Sequence, residues 1–78
     1  MEEKLLEIVG KVCGEELRRE DLDLDLLEEG LLDSLAFVEL TVALEDEFGV
    51  RLPPTEYEKE ALATVRKIEK VLSEKGVR

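Results

Sequence analysis

The chain has 78 residues and carries 21 acidic against 11 basic side chains, a formal charge of -10 that opposes binding to nucleic acid or to an anionic membrane surface. With Phe37, Phe48 and Tyr57 as its only aromatics, the apolar content has to come from Leu, Val, Ile and Ala, which suits packed helices better than a sheet. No histidine is present and Cys13 is the single cysteine, so an internal disulfide, a Ser-His or Cys-His nucleophile and a His/Cys zinc cluster are all excluded.

From Glu3 to Cys13 the apolar residues Leu5, Ile8, Val9, Val12 and Cys13 recur at helical spacing, which predicts a first helix with one buried stripe and a stop at Gly14. Cys13 lies on that stripe and is expected to be a buried structural thiol. Residues 15–32 lack a sustained helical period. The alternation in DLDLDLLEEGLL sends leucines inward and acids outward, which predicts a long ordered connection with a turn at Gly30. Asp21, Asp23 and Asp25 imitate the opening of a calcium loop, but Leu26 and Leu32 stand where such a loop needs Gly and Glu, so no metal site is assigned.

A second helix is expected to start at Asp33 or Ser34, either of which has a side chain able to cap it, and to end before Gly49. Pro53 and Pro54 prevent immediate continuation. Thr55-Glu56-Tyr57-Glu58 has the form of a capping box and predicts a short third helix to Ala61 or Leu62. Thr64 is expected to cap a last helix that buries Val65, Ile68, Val71 and Leu72 and ends near Gly76. The fold class is therefore all-α, one domain over residues 1–78, built as a four-helix arrangement with a long first connection and a short third helix. With no leader-like or spanning apolar segment, a cytoplasmic monomer without membrane insertion is expected.

Plotted at about 100° per residue, residues 35 to 48 separate into two apolar stripes on nearly opposite sides. Phe37, Leu40, Leu44 and Phe48 form the bulkier one, suited to the core. Leu35, Val38 and Val42 form the other, flanked by Glu39, Glu45 and Asp46. A small apolar patch ringed by carboxylates suits transient docking of a basic partner, because the charges steer the encounter and the patch supplies contact energy. Lys and Arg are absent between Arg19 and Arg51 and collect instead at Arg66, Lys67, Lys70, Lys75 and Arg78, so the chain has distinct acidic and basic ends.

The run EEGLLDSLAFVELTVALEDEFGVRLP resembles the modification site and second helix of the acyl carrier protein superfamily, whose core motif is Asp-Ser-Leu, here Asp33-Ser34-Leu35. The likeness extends to nearly the whole chain. Within the superfamily it is most similar to the D-alanyl carrier family: LLEEGLLDSLA resembles Phe-Glu-Glu-Gly-Leu-Leu-Asp-Ser-Phe-Gly, and PPTEYEKE resembles Pro-Ile-Thr-Glu-Phe-Asp-Arg-Asp. Ala36 takes the place of a glycine there. The chain departs from that family at Leu35, where Phe is usual, at Phe37, where a smaller polar residue is usual, and at Leu62, where Trp is usual.

The resemblance implies a carrier with no catalytic residue of its own. Ser34 would bear a covalent 4'-phosphopantetheine derived from coenzyme A, with Asp33 and Leu35 completing the motif and Asp33 meeting the metal or basic residues of a phosphopantetheinyl transferase. The arm's thiol, not Cys13, would hold the cargo as a thioester. Partners implied are that transferase, an ATP-dependent D-alanine ligase and a downstream acyltransferase, in solution or in the membrane, with D-alanine destined for teichoic acid. Leu35, Val38, Glu39, Val42, Glu45 and Asp46 would form the partner face. A fatty acyl, polyketide or other amino acid cargo is the alternative, and an unmodified acidic adaptor is a second one from a different class.

Overall fold

The computed structural model describes residues 1–77, and among them it is all-α, as composition and period require. Helix α1 spans Glu2–Cys13, α2 spans Ser34–Phe48 and α3 spans Val65–Glu74. Short 3-10 turns at Arg19–Asp21, Pro54–Glu56 and Lys59–Leu62 lie in the connections. α1 packs against both α2 and α3, and α2 is further covered by the last two 3-10 turns. One core results, containing Leu5, Val9, Leu26, Leu40, Leu44, Leu52, Leu62, Ile68 and Leu72, each with no exposed surface. Removing a leucine of this kind from water stabilises the fold by about 2 kcal/mol.

Both glycine stops act as expected. Gly14 and Gly49 adopt left-handed φ values of 71° and 66°, a conformation in which a Cβ is penalised, and their amides close α1 and α2 by donating to the carbonyls of Gly10 and Glu45. Because α1 touches two helices, its buried face is broader than a single stripe. Leu5, Leu6 and Val9 are buried, whereas Ile8, Val12 and Cys13 are half-buried. Cys13 is thus less enclosed than its place in the pattern implied.

After α1 the chain folds straight back over the helix. Glu15 donates its amide to the Gly10 carbonyl at 2.9 Å, and a Cβ on Gly10 would lie 2.6 Å from the Glu15 carbonyl oxygen. The absence of a side chain at Gly10 is what permits this return. The long connection is then stitched to the far end of the molecule. The Leu26 amide donates to the Ala63 carbonyl at 2.8 Å, Arg66 N donates to Leu22 O at 3.1 Å, and the Arg66 guanidinium meets Asp23 at 2.8 Å. Leu31 and Leu32 both donate their amides to the Leu26 carbonyl, which turns the chain and delivers Leu32 into the core immediately before α2.

The expected short third helix is not α-helical. Pro54–Glu56 and Lys59–Leu62 are separate 3-10 turns capped at Pro53 and Glu58, and the side chains of Thr55 and Glu58 form no capping box. Between them Tyr57 is extended, with φ -128° and ψ 140°, and its half-buried ring lies 5.6 Å from the Lys75 ammonium. Tyr57 and Glu58, both extended, break the helical run that the local pattern favoured. α3 follows expectation at its start, where Thr64 accepts from the Lys67 amide at 3.0 Å. It buries Val65, Ile68 and Leu72, while Val71 stays half-buried.

Candidate functional site

The head of α2 is held from both sides. Leu32 precedes it in the core, with 3% of its surface exposed, and Ala36 and Phe37 follow at 8% and 6%, so residues 33–35 stand out as an exposed knuckle between two buried anchors. Asp33 is the N-cap: its backbone is extended, and Oδ1 accepts from the Ala36 amide at 2.8 Å while its carbonyl accepts from the Phe37 amide at 2.8 Å. Ser34 is the first helical residue. Of the two capping side chains offered by the sequence, Asp33 is the one used.

This division leaves the Ser34 hydroxyl exposed and uninvolved in the capping hydrogen bonds. A group attached to its oxygen would stand in solvent at the amino end of a 15-residue helix, where the backbone dipole favours a phosphate. The donor set therefore fits a covalent phosphodiester. Asp33 keeps its carboxylate exposed beside it.

From Ser34 the exposed apolar side chains run down one side of α2, with Leu35 at 70%, Val38 at 43% and Val42 at 50% exposure. Glu39 and Asp46 are exposed on the same side. On the opposite side Phe37, Leu40 and Leu44 are buried and Phe48 is half-buried, so the helix has the two faces read from its period. Thr41 joins the buried side, at 1% exposure, with Oγ1 donating to the Val38 carbonyl at 2.7 Å. Its spacing from Phe37, Leu44 and Phe48 puts it on that face, but its polar side chain left it out of the apolar stripe.

Glu45 does not share the setting of Glu39 and Asp46. It is half-buried, and its carboxylate accepts from the Leu52 amide at 2.6 Å, which ties the segment after α2 back onto the helix. Seven residues separate the two groups and no local motif links them, so this tie was not legible in sequence. The three aspartates of the long connection also have separate duties: Asp21 accepts from the Arg18 amide, Asp23 pairs with Arg66, and Asp25 accepts from the amides of Leu27 and Glu28. Among the described residues no group of three or more acidic or cysteine side chains is placed to hold a metal. Burial pushes the Cys13 thiol pKa up, and the nearby carboxylates of Asp33 and Glu15 push it the same way.

An all-α fold with an exposed serine at a helix head fits the class of proteins which carry a prosthetic arm for other enzymes instead of catalysing a reaction themselves. The chain belongs to the phosphopantetheine attachment site family, whose model matches residues 3–72. The arm of that family is covalently bound 4'-phosphopantetheine, and a carrier of this kind works through partner enzymes. Among curated relatives, the D-alanyl carrier protein of Abiotrophia defectiva is 47% identical over 68 residues, covering 87% of this chain and 86% of that one. The D-alanyl carrier protein of Lactococcus lactis subsp. lactis (strain IL1403) is 44% identical over 75 residues, covering 96% and 95%. That of Bacillus subtilis (strain 168) is 36% identical over 72 residues, covering 92% of each.

Proposed function

We propose that residues 1–78 act as a single carrier unit, that Ser34 bears the phosphopantetheine, and that the arm's thiol holds D-alanine as a thioester for delivery to an acceptor of the teichoic acid class. The observation that carries the attachment reading is the exposed, uncommitted Ser34 hydroxyl one residue beyond the cap, at the head of the exposed Leu35, Val38 and Val42 stripe. The names of the relatives supply the cargo.

A serine hydroxyl is a weak nucleophile, and the chain has no histidine to activate it, so the base belongs to a phosphopantetheinyl transferase. In that step the Ser34 oxygen bonds to phosphorus, the pyrophosphate bond of coenzyme A breaks, the nucleotide leaves with the phosphate it retains, and the hydroxyl proton passes to the transferase or solvent. When bound, the arm supplies a thiol for acyl transfer. That thiol would accept a D-alanyl group activated as its adenylate by an ATP-dependent ligase. On this reading the carrier works in the cytoplasm, where coenzyme A and ATP are supplied, and a later acyltransferase passes the D-alanyl group to its acceptor. Leu35, Val38, Glu39, Val42 and Asp46 form the docking face for these enzymes, and Glu45 borders it.

Intact mass after incubation with coenzyme A, Mg²⁺ and a broad-specificity transferase tests the attachment. The parent is expected to gain one phosphopantetheine and Ser34→Ala none. A gain in both would move the attachment elsewhere. No gain in either with several competent transferases would return the chain to the adaptor reading, in which partner binding is indifferent to Ser34→Ala. Cargo is then decided by offering the holo-protein to candidate ligases with ATP and D-alanine, other amino acids or fatty acids. Loading of another acid with none of D-alanine would overturn the teichoic acid reading.

A further inference from the structure

Phe37 is the single aromatic among the buried apolar side chains of the described residues, at 6% exposure. It is rooted in the same helical turn as Ser34: its amide donates to the Asp33 carbonyl at 2.8 Å, and it lies three residues beyond Ser34, about 4.5 Å along the axis. The elements packed on this helix are α1 and the 3-10 turns Pro54–Glu56 and Lys59–Leu62, which with α2 enclose Leu40, Leu44, Leu52 and Leu62 completely. Surface hollows lie away from the head of α2: one, lined by Lys4, Glu7 and Phe48, is at the other end of the helix. A second, lined by Leu6, Gly10, Gly14 and Leu17, sits where the chain folds back over α1, and another, lined by Ala61, Lys67 and Val71, lies beside α3.

An apolar chain tethered at Ser34 gains by leaving water if the core beside its tether has room, since an apolar cavity stays dry and accepts apolar ligands. We infer that Phe37 fills that room and is a specificity-determining residue: it bars a flexible acyl chain from the core next to the attachment point, so that whatever the arm carries stays outside. A small polar aminoacyl group loses nothing by this, whereas a long acyl chain is left in water. The inference rests on Ser34 being the attachment residue.

The experiment loads the parent, Phe37→Ala and Phe37→Leu with acetyl- or octanoyl-phosphopantetheine, using acetyl- and octanoyl-coenzyme A and a broad-specificity transferase. It then compares hydroxylamine cleavage of the two thioesters in each protein, with circular dichroism reporting that each variant is helical. In the parent the two thioesters are expected to be cleaved at closely similar rates. In Phe37→Ala the octanoyl form should be cleaved on the order of tenfold more slowly than the acetyl form, because a chain seated in the vacated space is withdrawn from the reagent most of the time. Phe37→Leu, which removes less volume and keeps the site apolar, should fall between them, and it decides the matter if the alanine variant does not fold. A protected octanoyl group in the parent, or equal rates in the folded variants, overturns the inference while leaving the attachment reading intact. Failure of either donor to add mass at Ser34 overturns the attachment reading and this inference with it.

Discussion

At the head of α2 capping falls to one of two neighbouring residues, which leaves the other available for the proposed modification. Asp33 caps the helix through the Ala36 amide, and Ser34 holds an exposed hydroxyl that the cap does not use. Equilibrium urea unfolding should separate the two. Asp33→Ala is expected to lose about 1 kcal/mol and Asp33→Asn, which keeps a capping oxygen, only a small part of it, whereas Ser34→Ala should change stability by no more than about 0.5 kcal/mol. A Ser34→Ala loss as large as that of Asp33→Ala would mean that the serine is structural. Cys13 is governed by its surroundings in the same way. Burial, then the carboxylates of Asp33 and Glu15, raise its thiol pKa, so near neutral pH less thiolate is present than in a free cysteine. Alkylation by iodoacetamide should therefore be slower than for a free thiol, with a rate profile displaced to alkaline pH. An unshifted profile would contradict the enclosure at the end of α1.

Individual elements respond to what crosses them. In an open helix Gly10→Ala would be favoured by about 1 kcal/mol. Here the new methyl would meet the Glu15 carbonyl at 2.6 Å, and because that atom is backbone the returning chain must shift. A net destabilisation of about 1–3 kcal/mol is expected, read as a lower urea midpoint, and a stabilised variant would show that residues 15–17 give way freely. The acids of α2 should separate by element as well. Glu45→Ala strands the Leu52 amide and is expected to cost about 1–2 kcal/mol, whereas Glu39→Gln and Asp46→Asn should leave stability nearly unchanged and lower kcat/KM for loading by a ligase. If Glu45→Ala reduces loading with no loss of stability, Glu45 belongs to the docking face after all.

Across the whole molecule the dominant electrostatic fact is self-repulsion. The ion pairs Lys4–Glu47, Arg19–Glu2, Arg18–Glu16 and Arg66–Asp23 are all exposed to a large degree, and pairs of that kind contribute little. With 21 acidic against 11 basic side chains, nearly half of the carboxylates have no cation to match them. Added salt, which screens like charges over about 10 Å at 0.1 M, should therefore raise the thermal midpoint while weakening docking to a basic partner. A midpoint that falls with salt would place the ion pairs above the repulsion. The core beneath this charge is aliphatic apart from Phe37, and it is supplied by the three α-helices, the Lys59–Leu62 turn and the connections, including Leu26 of the long one, which explains why that connection is ordered without being helical.

Local sequence is enough to specify the three α-helices, the glycine that ends each of the first two, the Thr64 cap, the two faces of α2 and the family, because these depend on residues within a few positions of one another. Helical period, capping chemistry and a contiguous motif need no knowledge of distant chain. Gly10 lying under the returning backbone, Glu45 clamping Leu52, and Tyr57 interrupting a run which Thr55 and Glu58 would locally have started as a helix are visible only in the folded chain. Each of these is a contact or a packing choice set by a different element. Close packing between elements overrode local propensity there, and no window of neighbouring residues contains that information.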